Sequence, residues 1–236
     1  MVILILTGFF EEGYLEKNQD SLIPIFFSGS NVAFRRKVFE DVGLYDENCM
    51  IGEDQDICTR IVNSAWELYF QPKAVVGHKS RKTIKAFLKQ WYRYGLHHPY
   101  IFKKHNPKSL MVYLKKKKAK REILYERTIY RKPFPLFILI FITPFLIMNI
   151  FLLLSILSVL LGFNILSLIL GLITLGIGIY YFIPDISIKH PWRTVKFIFL
   201  RYLVNLALLV GGFLGGAKSK MIYIGATFDY KKRGSQ

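Results

Sequence analysis

Three carboxylates stand close together in this sequence, at Glu53, Asp54 and Asp56, and they could carry acid–base chemistry. They open a predicted helix over residues 54–66, in which apolar residues recur on one face. A carboxylate within hydrogen-bond reach of an alcohol can take its proton as the alcohol attacks a carbon centre. Acids in a first turn also stabilise the helix dipole, so a structural role is the alternative. Asp54 and Asp56 also have the spacing of a D-x-D metal motif, which is common by chance.

Other polar and aromatic groups occur in the same part of the chain. Taken singly, each has a structural explanation: a loop with a helix cap, a polar residue at a strand end, or the exposed face of a helix. Their shared order along the chain favours a shared site. These polar and aromatic residues are Gly29 and Asn31 in a loop, His78 after an apolar run, and Gln90, Trp91, Arg93 and Tyr94 on one predicted helix.

Residues 1–100 have the mixed texture of a soluble α/β domain. The apolar run at 1–6 lacks the basic start of a signal peptide, so it is predicted to be a buried strand. Cys49 and Cys58 show no metal spacing and are predicted to be reduced thiols. The predicted elements are strands at 1–6, 23–27, 67–70 and 74–76 and helices at 34–42, 54–66 and 82–96.

Apolar and basic residues are segregated along the chain. Of its 236 residues 52% are hydrophobic, yet the formal charge is +17. No charged residue occurs from 133 to 184, a stretch long enough for two membrane helices of about 20 residues each. The predicted spans run from 135 to 157 and from 166 to 183, joined by an uncharged turn.

A basic juxtamembrane segment over residues 101–132 precedes the first predicted span. The positive-inside rule then places residues 1–100 in the cytoplasm, as part of a multi-pass protein of the cell membrane. The same charges suit membrane lipids with anionic head groups, whereas nucleic acid is not expected as a partner of a chain with membrane spans. The helix at 82–96 has an aromatic face and a basic face, which is typical of a helix lying flat on a membrane.

A third apolar segment, residues 185–217, has two interpretations. Arg201 and Asn205 interrupt it, and the apolar residues that follow Arg201 would form a helix of about 24 Å. A full crossing would send the basic tail at 218–236 away from the cytoplasm, against the positive-inside rule. An interfacial or re-entrant element is therefore favoured over a third span.

The groups with potential chemistry follow one another as G-x-N-x-A-x-R-R, E-D-x-D-x-x-x-R, a strand ending in His, and Q-x-x-R-aromatic ahead of membrane helices. In this order they resemble glycosyltransferase family 2, whose membrane-attached members build polysaccharides and glycolipids. The resemblance covers residues 28–95 and implies the GT-A fold. The expected fold class is α/β, with a partial GT-A-like acceptor-side half followed by a helical transmembrane region. The implied activity is inverting transfer of a sugar from a nucleotide-sugar to a lipid-linked or polysaccharide acceptor.

The resemblance also implies roles for residues of this sequence. Asp54 matches the general base, and Glu53 could tune it because like charges disfavour ionisation. The arginine of the Q-x-x-R-W motif compensates the charge of the departing nucleotide diphosphate, and the aromatic residues help to line the acceptor channel. The implied set comprises Gly29 and Asn31 near acceptor and donor sugar, Gln90, Trp91, Arg93 and Tyr94 in that motif (with Tyr94 where the family usually has Trp), Asp56 and Arg60 as structural residues, and His78 as a metal ligand.

Members of that family carry a Rossmann-like nucleotide-binding half, with its own D-x-D metal motif, before the loop that Gly29 matches. Only 28 residues precede Gly29 here, so the isolated chain is expected to be incomplete. The Mg²⁺ or Mn²⁺ of the complete enzyme is then expected to be held mainly outside this chain, and a separate chain supplying the nucleotide-binding half is an expected partner. The alternative is a non-catalytic accessory or scaffold protein of the membrane whose basic segment binds anionic lipid.

Overall fold

The computed structural model describes residues 13–14, 28–71, 73–77, 79, 81–106, 109–116, 125–133, 135–183 and 191–225. The strands predicted at 1–6 and 23–27 lie outside these ranges, and so does His78.

Two short helices form the N-terminal part of the described chain. α1 spans Arg36–Val42 and α2 spans Glu53–Val62, so both predicted helices are present. α2 ends before residue 66 because the Ser64 hydroxyl donates to the Ile61 carbonyl and accepts from the Trp66 N–H. Such side-chain bonds compete with the helical ones. The two helices share a small core made of Val38, Ile57, Cys58, Ile61 and Leu68.

A two-stranded antiparallel sheet accompanies these helices. β1, Gly13–Tyr14, pairs with β2, Tyr69–Phe70, and β2 falls within the strand predicted at 67–70. Residues 74–76 do not form the predicted strand. The carbonyl of Ala74 accepts a hydrogen bond from Asn31 Nδ2 at 2.7 Å, so this segment is held by a side chain of the Gly29 loop.

The long helix α3 spans Ile84–His105. It contains the helix predicted at 82–96 and continues past Pro99. Proline disfavours a helix interior because it lacks an N–H group. Here Ile101 and Phe102, two and three residues after Pro99, are buried. Their packing outweighs the unfavourable effect of the proline on the helix.

A four-stranded mixed sheet follows α3. Its strands are β3 (Ser109–Lys116), β4 (Tyr125–Pro133), β5 (Ile138–Ile142) and β6 (Ile222–Ile224), in the spatial order β4-β3-β5-β6. β3 is antiparallel to β4 and parallel to β5, and β5 is parallel to β6. The sheet is covered by a core of Phe102, Met111, Phe137, Leu139, Phe141, Met221 and Tyr223.

This sheet differs from two predictions. The segment at 101–132, expected as a basic juxtamembrane segment, contains the end of α3, all of β3 and most of β4. The first span, expected from 135, begins with β5, and helix starts only at Pro144. The run Ile138–Ile142 is apolar throughout, and periodicity cannot separate strand from helix in such a run. The Thr143 side chain then caps the following helix by accepting from the Leu146 N–H.

Three apolar helices complete the described chain. α4, Pro144–Leu160, and α5, Asn164–Phe182, pack together as a hairpin that turns at Gly162, where φ is 80°. α6 spans Pro191–Lys218 in one piece. α5 and α6 are each long and apolar enough to cross a membrane, whereas α4 is apolar but has 17 residues.

α3 and α6 pack backbone against backbone. A Cβ atom at Gly95 would overlap the Leu208 carbonyl oxygen, and one at Gly211 would overlap the Tyr92 carbonyl oxygen. Glycine is therefore required at both positions for this approach. On another side α6 packs against Tyr223 of β6, which ties the helix pair to the sheet.

Candidate active site

The loop before α2 turns sharply at Gly52. Its φ of 88° lies in the left-handed region that favours glycine. A Cβ atom here would lie 3.2 Å from Cγ1 of Ile101 on α3. The turn thus sets the start of α2 close to α3, and it leaves Glu53 and Asp54 partly exposed at the N-terminus of α2.

Both carboxylate oxygens of Asp54 accept backbone hydrogen bonds. Oδ2 accepts from the Gly29 N–H at 3.0 Å, and Oδ1 accepts from the Gln55 N–H at 2.8 Å. Glu53 lies beside the same loop, since a Cβ atom at Gly29 would be 3.9 Å from its Oε1. The structure therefore brings together the glycine loop and the acidic group, which are 25 residues apart in sequence.

Tyr45 borders this pair of acids. Burial, followed by the nearby Cys58, Asp54 and Glu53, raises the pKa of Tyr45. The Tyr45 ring itself packs against Phe34 and Phe39. Nothing in the spacing of the sequence singles Tyr45 out, because it reaches the site through the loop between α1 and α2.

His98 of α3 is a second neighbour that the sequence interpretation misses. Burial lowers its pKa to about 4, although the negative charge of Asp54 acts in the opposite direction. His98 is therefore neutral at neutral pH. Gln90, Tyr94 and His98 recur every four residues on α3, and this spacing is the signal that could have identified it.

Asp56 faces away from the loop and is fully buried. Its Oδ2 pairs with Arg60 at 2.9 Å, and its Oδ1 contacts Lys104 Nζ at 2.8 Å and His105 Nε2 at 2.7 Å. Burial acts to raise the pKa of Asp56, but the hydrogen bonds from Lys104, His105 and Arg60 outweigh it and hold that pKa below its ordinary value. Asp56 thus anchors α2 to the last turn of α3.

Arg60 joins α2 to the end of α1. Besides pairing with Asp56, its guanidinium donates to the carbonyls of Val42, Gly43 and Leu44. These carbonyls lie at the C-terminus of α1, where helical partners are missing. Both groups of Arg60 contacts are internal to the fold.

The Q-x-x-R-aromatic group lies on α3. Gln90 Nε2 donates to the Tyr94 hydroxyl at 2.6 Å, and the Tyr94 ring meets Trp91 edge to face at 5.3 Å. Arg93 is exposed on the neighbouring face of the helix. Gln90 and Tyr94 share the helix with Ile101, which contacts Gly52, so one rigid element carries this group and borders the Asp54 loop.

The described residues do not assemble a metal centre. Among them there is no group of three or more His, Cys, Asp or Glu side chains that could hold a metal ion. Asp54 and Asp56 have D-x-D spacing, but the carboxylate of Asp56 is occupied by Arg60, Lys104 and His105 and faces away from Asp54's loop contact. The pair therefore does not fit a metal ion, and His78, the other predicted ligand, lies outside the described ranges.

Comparison with known proteins identifies the family. Residues 9–183, most of the chain, match the profile described as Glycosyl transferase family group 2. The chain belongs to this family. Its membership confirms the relationship predicted from the order of the motifs, with a family of glycosyltransferases. The mixed α/β architecture is consistent with a GT-A-like fold.

Curated relatives align with a limited part of the chain. A pre-mycofactocin glycosyltransferase of Mycobacterium tuberculosis is 31% identical over 64 residues, which cover 27% of this chain and 14% of the relative. An O-antigen chain rhamnosyltransferase of Salmonella typhimurium is 26% identical over 74 residues, which cover 31% of this chain and 24% of the relative. A similar protein of Salmonella anatum is 27% identical over the same length. The chain thus spans at most 24% of the length of these relatives. No solved structure matches it.

Proposed function

We propose that this chain serves inverting sugar transfer at a membrane, from a nucleotide-sugar to a lipid-linked or polysaccharide acceptor. The observation that carries the proposal is the contact between the Gly29 N–H and Asp54 Oδ2 at 3.0 Å, in a chain of a glycosyltransferase family. This contact joins the loop that would border the sugars to the carboxylate that would act as base.

Asp54 is the proposed general base. Its two backbone hydrogen bonds fix the plane of the carboxylate, and its partial exposure leaves room for an acceptor hydroxyl. As the acceptor oxygen forms its bond to the anomeric carbon, its proton passes to Asp54 and the bond from that carbon to the diphosphate oxygen breaks. A single displacement of this kind inverts the anomeric configuration. Glu53, beside the same loop, is proposed to influence the charge balance of the base.

α3 is proposed to serve the leaving-group side. Arg93 is exposed there, and an arginine can pair bidentately with phosphate oxygens of the departing nucleotide diphosphate. Trp91 and Tyr94 offer aromatic surface for a sugar ring, with Tyr94 oriented by its bond from Gln90. Asn31 holds the segment at Ala74 beside the glycine loop and is proposed to shape the same end of the site.

Asp56 and Arg60 are proposed to be structural, because their described contacts are made within the fold. A divalent cation, Mg²⁺ or Mn²⁺, would offset the charge of the donor diphosphate when bound. The described residues supply no complete site for it, so we propose that its main ligands belong to the nucleotide-binding part of the complete enzyme.

Membrane attachment is proposed from the α4–α5 hairpin. Leucines along both helices are exposed, among them Leu153 and Leu168 at 66% each. Contiguous apolar surface of this extent is unfavourable in water and suits lipid. A relative named as an O-antigen chain rhamnosyltransferase supports a polysaccharide or lipid-linked acceptor. We propose a multi-pass protein whose site-bearing half faces the cytoplasm.

The test uses the source organism, in which any further segment or partner is present. A strain lacking the gene is complemented with the wild-type gene, with Asp54→Asn, or with Asp41→Asn as a matched control on α1. Surface polysaccharides and glycolipids are then compared by mass spectrometry. Wild type and Asp41→Asn should restore the missing glycan, and Asp54→Asn should not, at equal protein levels in the membrane. Restoration by Asp54→Asn would remove Asp54 as the base.

A further inference from the structure

α6 is apolar enough to cross a membrane, but it differs from α5 in what surrounds it. A third of its most apolar stretch is buried (33%), against 11% for α5. Its buried residues and its exposed apolar residues occupy opposite faces. The exposed stripe runs along the helix as Trp192, Val195, Phe199, Leu206, Val210 and Phe213.

The buried face of α6 packs lengthwise on α3. Gly211 meets the backbone of Tyr92, and one turn later Gly215 meets the backbone of Leu96. Beyond the end of α6, Lys103 Nζ donates to the carbonyl of Ser219. The contacts advance in the same direction along both helices, so the second half of α6 lies parallel to the second half of α3.

α3 cannot accompany α6 into hydrocarbon. Its outward face carries Lys85, Lys89 and Arg93, all exposed. Charged side chains without partners are strongly unfavourable in the bilayer core. Because the backbones of α3 and α6 are in contact, the second half of α6 must lie at the same depth relative to the bilayer as α3, outside the hydrocarbon core.

α6 also lies across the α4–α5 hairpin, and its described contacts are with the base of that hairpin. The Tyr202 ring meets that of Phe145 edge to face at 5.3 Å, and its hydroxyl donates to Asn149 Oδ1 at 2.8 Å, near the start of α4. Arg201 lies 4.2 Å above the ring of Tyr181, near the end of α5. These contacts lie at the end of the hairpin opposite to the turn at Gly162. A helix bundled with α4 and α5 would contact them along their length.

We infer that α6 lies in the membrane–water interface, parallel to the surface, with its apolar stripe against the lipid and both of its ends on the side of the Asp54 site. The inference rests on the membrane attachment in the proposed function. With 28 residues α6 is about 42 Å long, whereas the hydrocarbon core of a bilayer is about 30 Å thick. A helix lying in the plane of the interface does not have to match that thickness. Arg193 and Lys196 near its start and Lys218 and Lys220 at its end are exposed and would all reach head groups on that side.

Labelling of one added cysteine at a time distinguishes an in-plane α6 from an α6 that crosses the membrane. Arg193→Cys and Lys218→Cys mark the two ends of α6, and Lys73→Cys marks the site-bearing half; all three positions are exposed. The parent chain is the unlabelled control, because its Cys49 and Cys58 are buried. Right-side-out and inside-out vesicles from cells expressing the full chain are treated with a membrane-impermeant maleimide, and detergent-treated samples give total reactivity.

All three variants should react in the same kind of vesicle, at a similar fraction of total reactivity. Reaction of Arg193→Cys and Lys218→Cys from opposite sides would overturn the placement, and so would protection of both ends until detergent is added. Absence of the chain from the membrane fraction would overturn the placement together with membrane attachment. Sugar transfer is not measured, so a failure of the proposed catalysis cannot produce any of these results.

Discussion

Lys104 Nζ lies 2.8 Å from the buried carboxylate of Asp56, and this ion pair fastens the last turn of α3 to the first turns of α2. The same ammonium contacts Asp46 Oδ2 at 2.6 Å, in the loop between α1 and α2. Tyr100 donates to Asp46 as well, at 2.9 Å. Two residues of α3, Lys104 and Tyr100, therefore hold the loop that leads to Asp54.

Asp56→Asn is expected to destabilise the chain by about 3 to 5 kcal/mol, because it leaves Arg60, Lys104 and His105 around a neutral amide. The measurement is denaturant unfolding of the chain in detergent. The matched control is Glu40→Gln, since Glu40 is exposed and its contact with Arg36 is long at 3.8 Å. That variant should lie within about 0.5 kcal/mol of wild type. An equally small effect of Asp56→Asn would show that the buried pairs contribute little.

Gly29→Pro should keep the turn but remove the hydrogen bond to Asp54 and crowd its carboxylate, because the ring Cδ takes the place of the N–H. Gly29 is the second residue of a turn closed by the Asn31 N–H on the Ser28 carbonyl, a position that accepts proline. The variant lacks the N–H that holds Asp54 Oδ2. A hydrogen bond to a charged group contributes about 1.5 to 3 kcal/mol, so sugar transfer in complemented membranes should fall about 10- to 100-fold.

Gly29→Ala keeps the N–H, and its Cβ would make ordinary contacts of 3.7 to 3.9 Å. It should therefore retain transfer close to wild type. Equal loss in both variants would point to the space at residue 29 rather than to the hydrogen bond.

The partly buried His98, whose pKa is lowered, should make stability depend on pH in a defined window. Its pKa is about 4 in the folded chain and about 6.5 when unfolded, so the unfolded chain binds the proton more readily. Stability is then complete above about pH 6.5 and is lost as pH falls towards 4, by up to about 3 kcal/mol. The measurement is the free energy of unfolding between these pH values.

His98→Gln should flatten this dependence. His97→Gln is the control at the neighbouring position: burial, followed by Arg93 and Lys218 nearby, lowers the pKa of His97 as well. It should keep the part of the slope that comes from His98. A slope that His98→Gln leaves unchanged would contradict the lowered pKa of His98 beside Asp54.

Gly95→Ala should disrupt the α3–α6 pair, because the new Cβ would overlap the Leu208 carbonyl oxygen. We expect a loss of about 1 to 3 kcal/mol in unfolding free energy, as for other overpacked sites. Gly176→Ala on α5 adds the same methyl group where nothing lies within 4 Å. It should be neutral or slightly stabilising, since alanine favours a helix over glycine. Comparable unfolding of the two variants would argue against close backbone packing.

Local patterns in the sequence were sufficient for α1, α2, α5 and the turn before α5, but not for the start of α4. Each has an apolar spacing or an uninterrupted apolar run bounded by a glycine or a capping residue, and these signals act within a few residues. The same reasoning placed Asp54 at a helix start and grouped it with the Gly29 loop. Family membership confirms the predicted relationship, while the individual roles of the residues remain predictions.

Elements that depend on distant partners were not predictable in this way. β5 is a strand because it pairs with β3 and β6. In the sequence, β6 follows all three apolar helices, so its pairing with β5 is a long-range contact. α3 passes Pro99 because residues beyond it are buried by the sheet. Tyr45 and Lys104 reach the site region through tertiary contacts, so residue type and spacing alone carry little signal for them.

The backbone contact between Gly95 and Leu208 has a consequence for the choice of acceptor. Two helices with no side chain between them have little freedom to slide or tilt, so Asp54 stays at one height above α6. If α6 lies on the lipid surface as inferred, the distance between Asp54 and the lipid head groups is fixed as well. A hydroxyl carried by a lipid would react only when the spacer beneath it has the matching length. The protein would then select acceptors by their reach from the bilayer as well as by the identity of their terminal sugar.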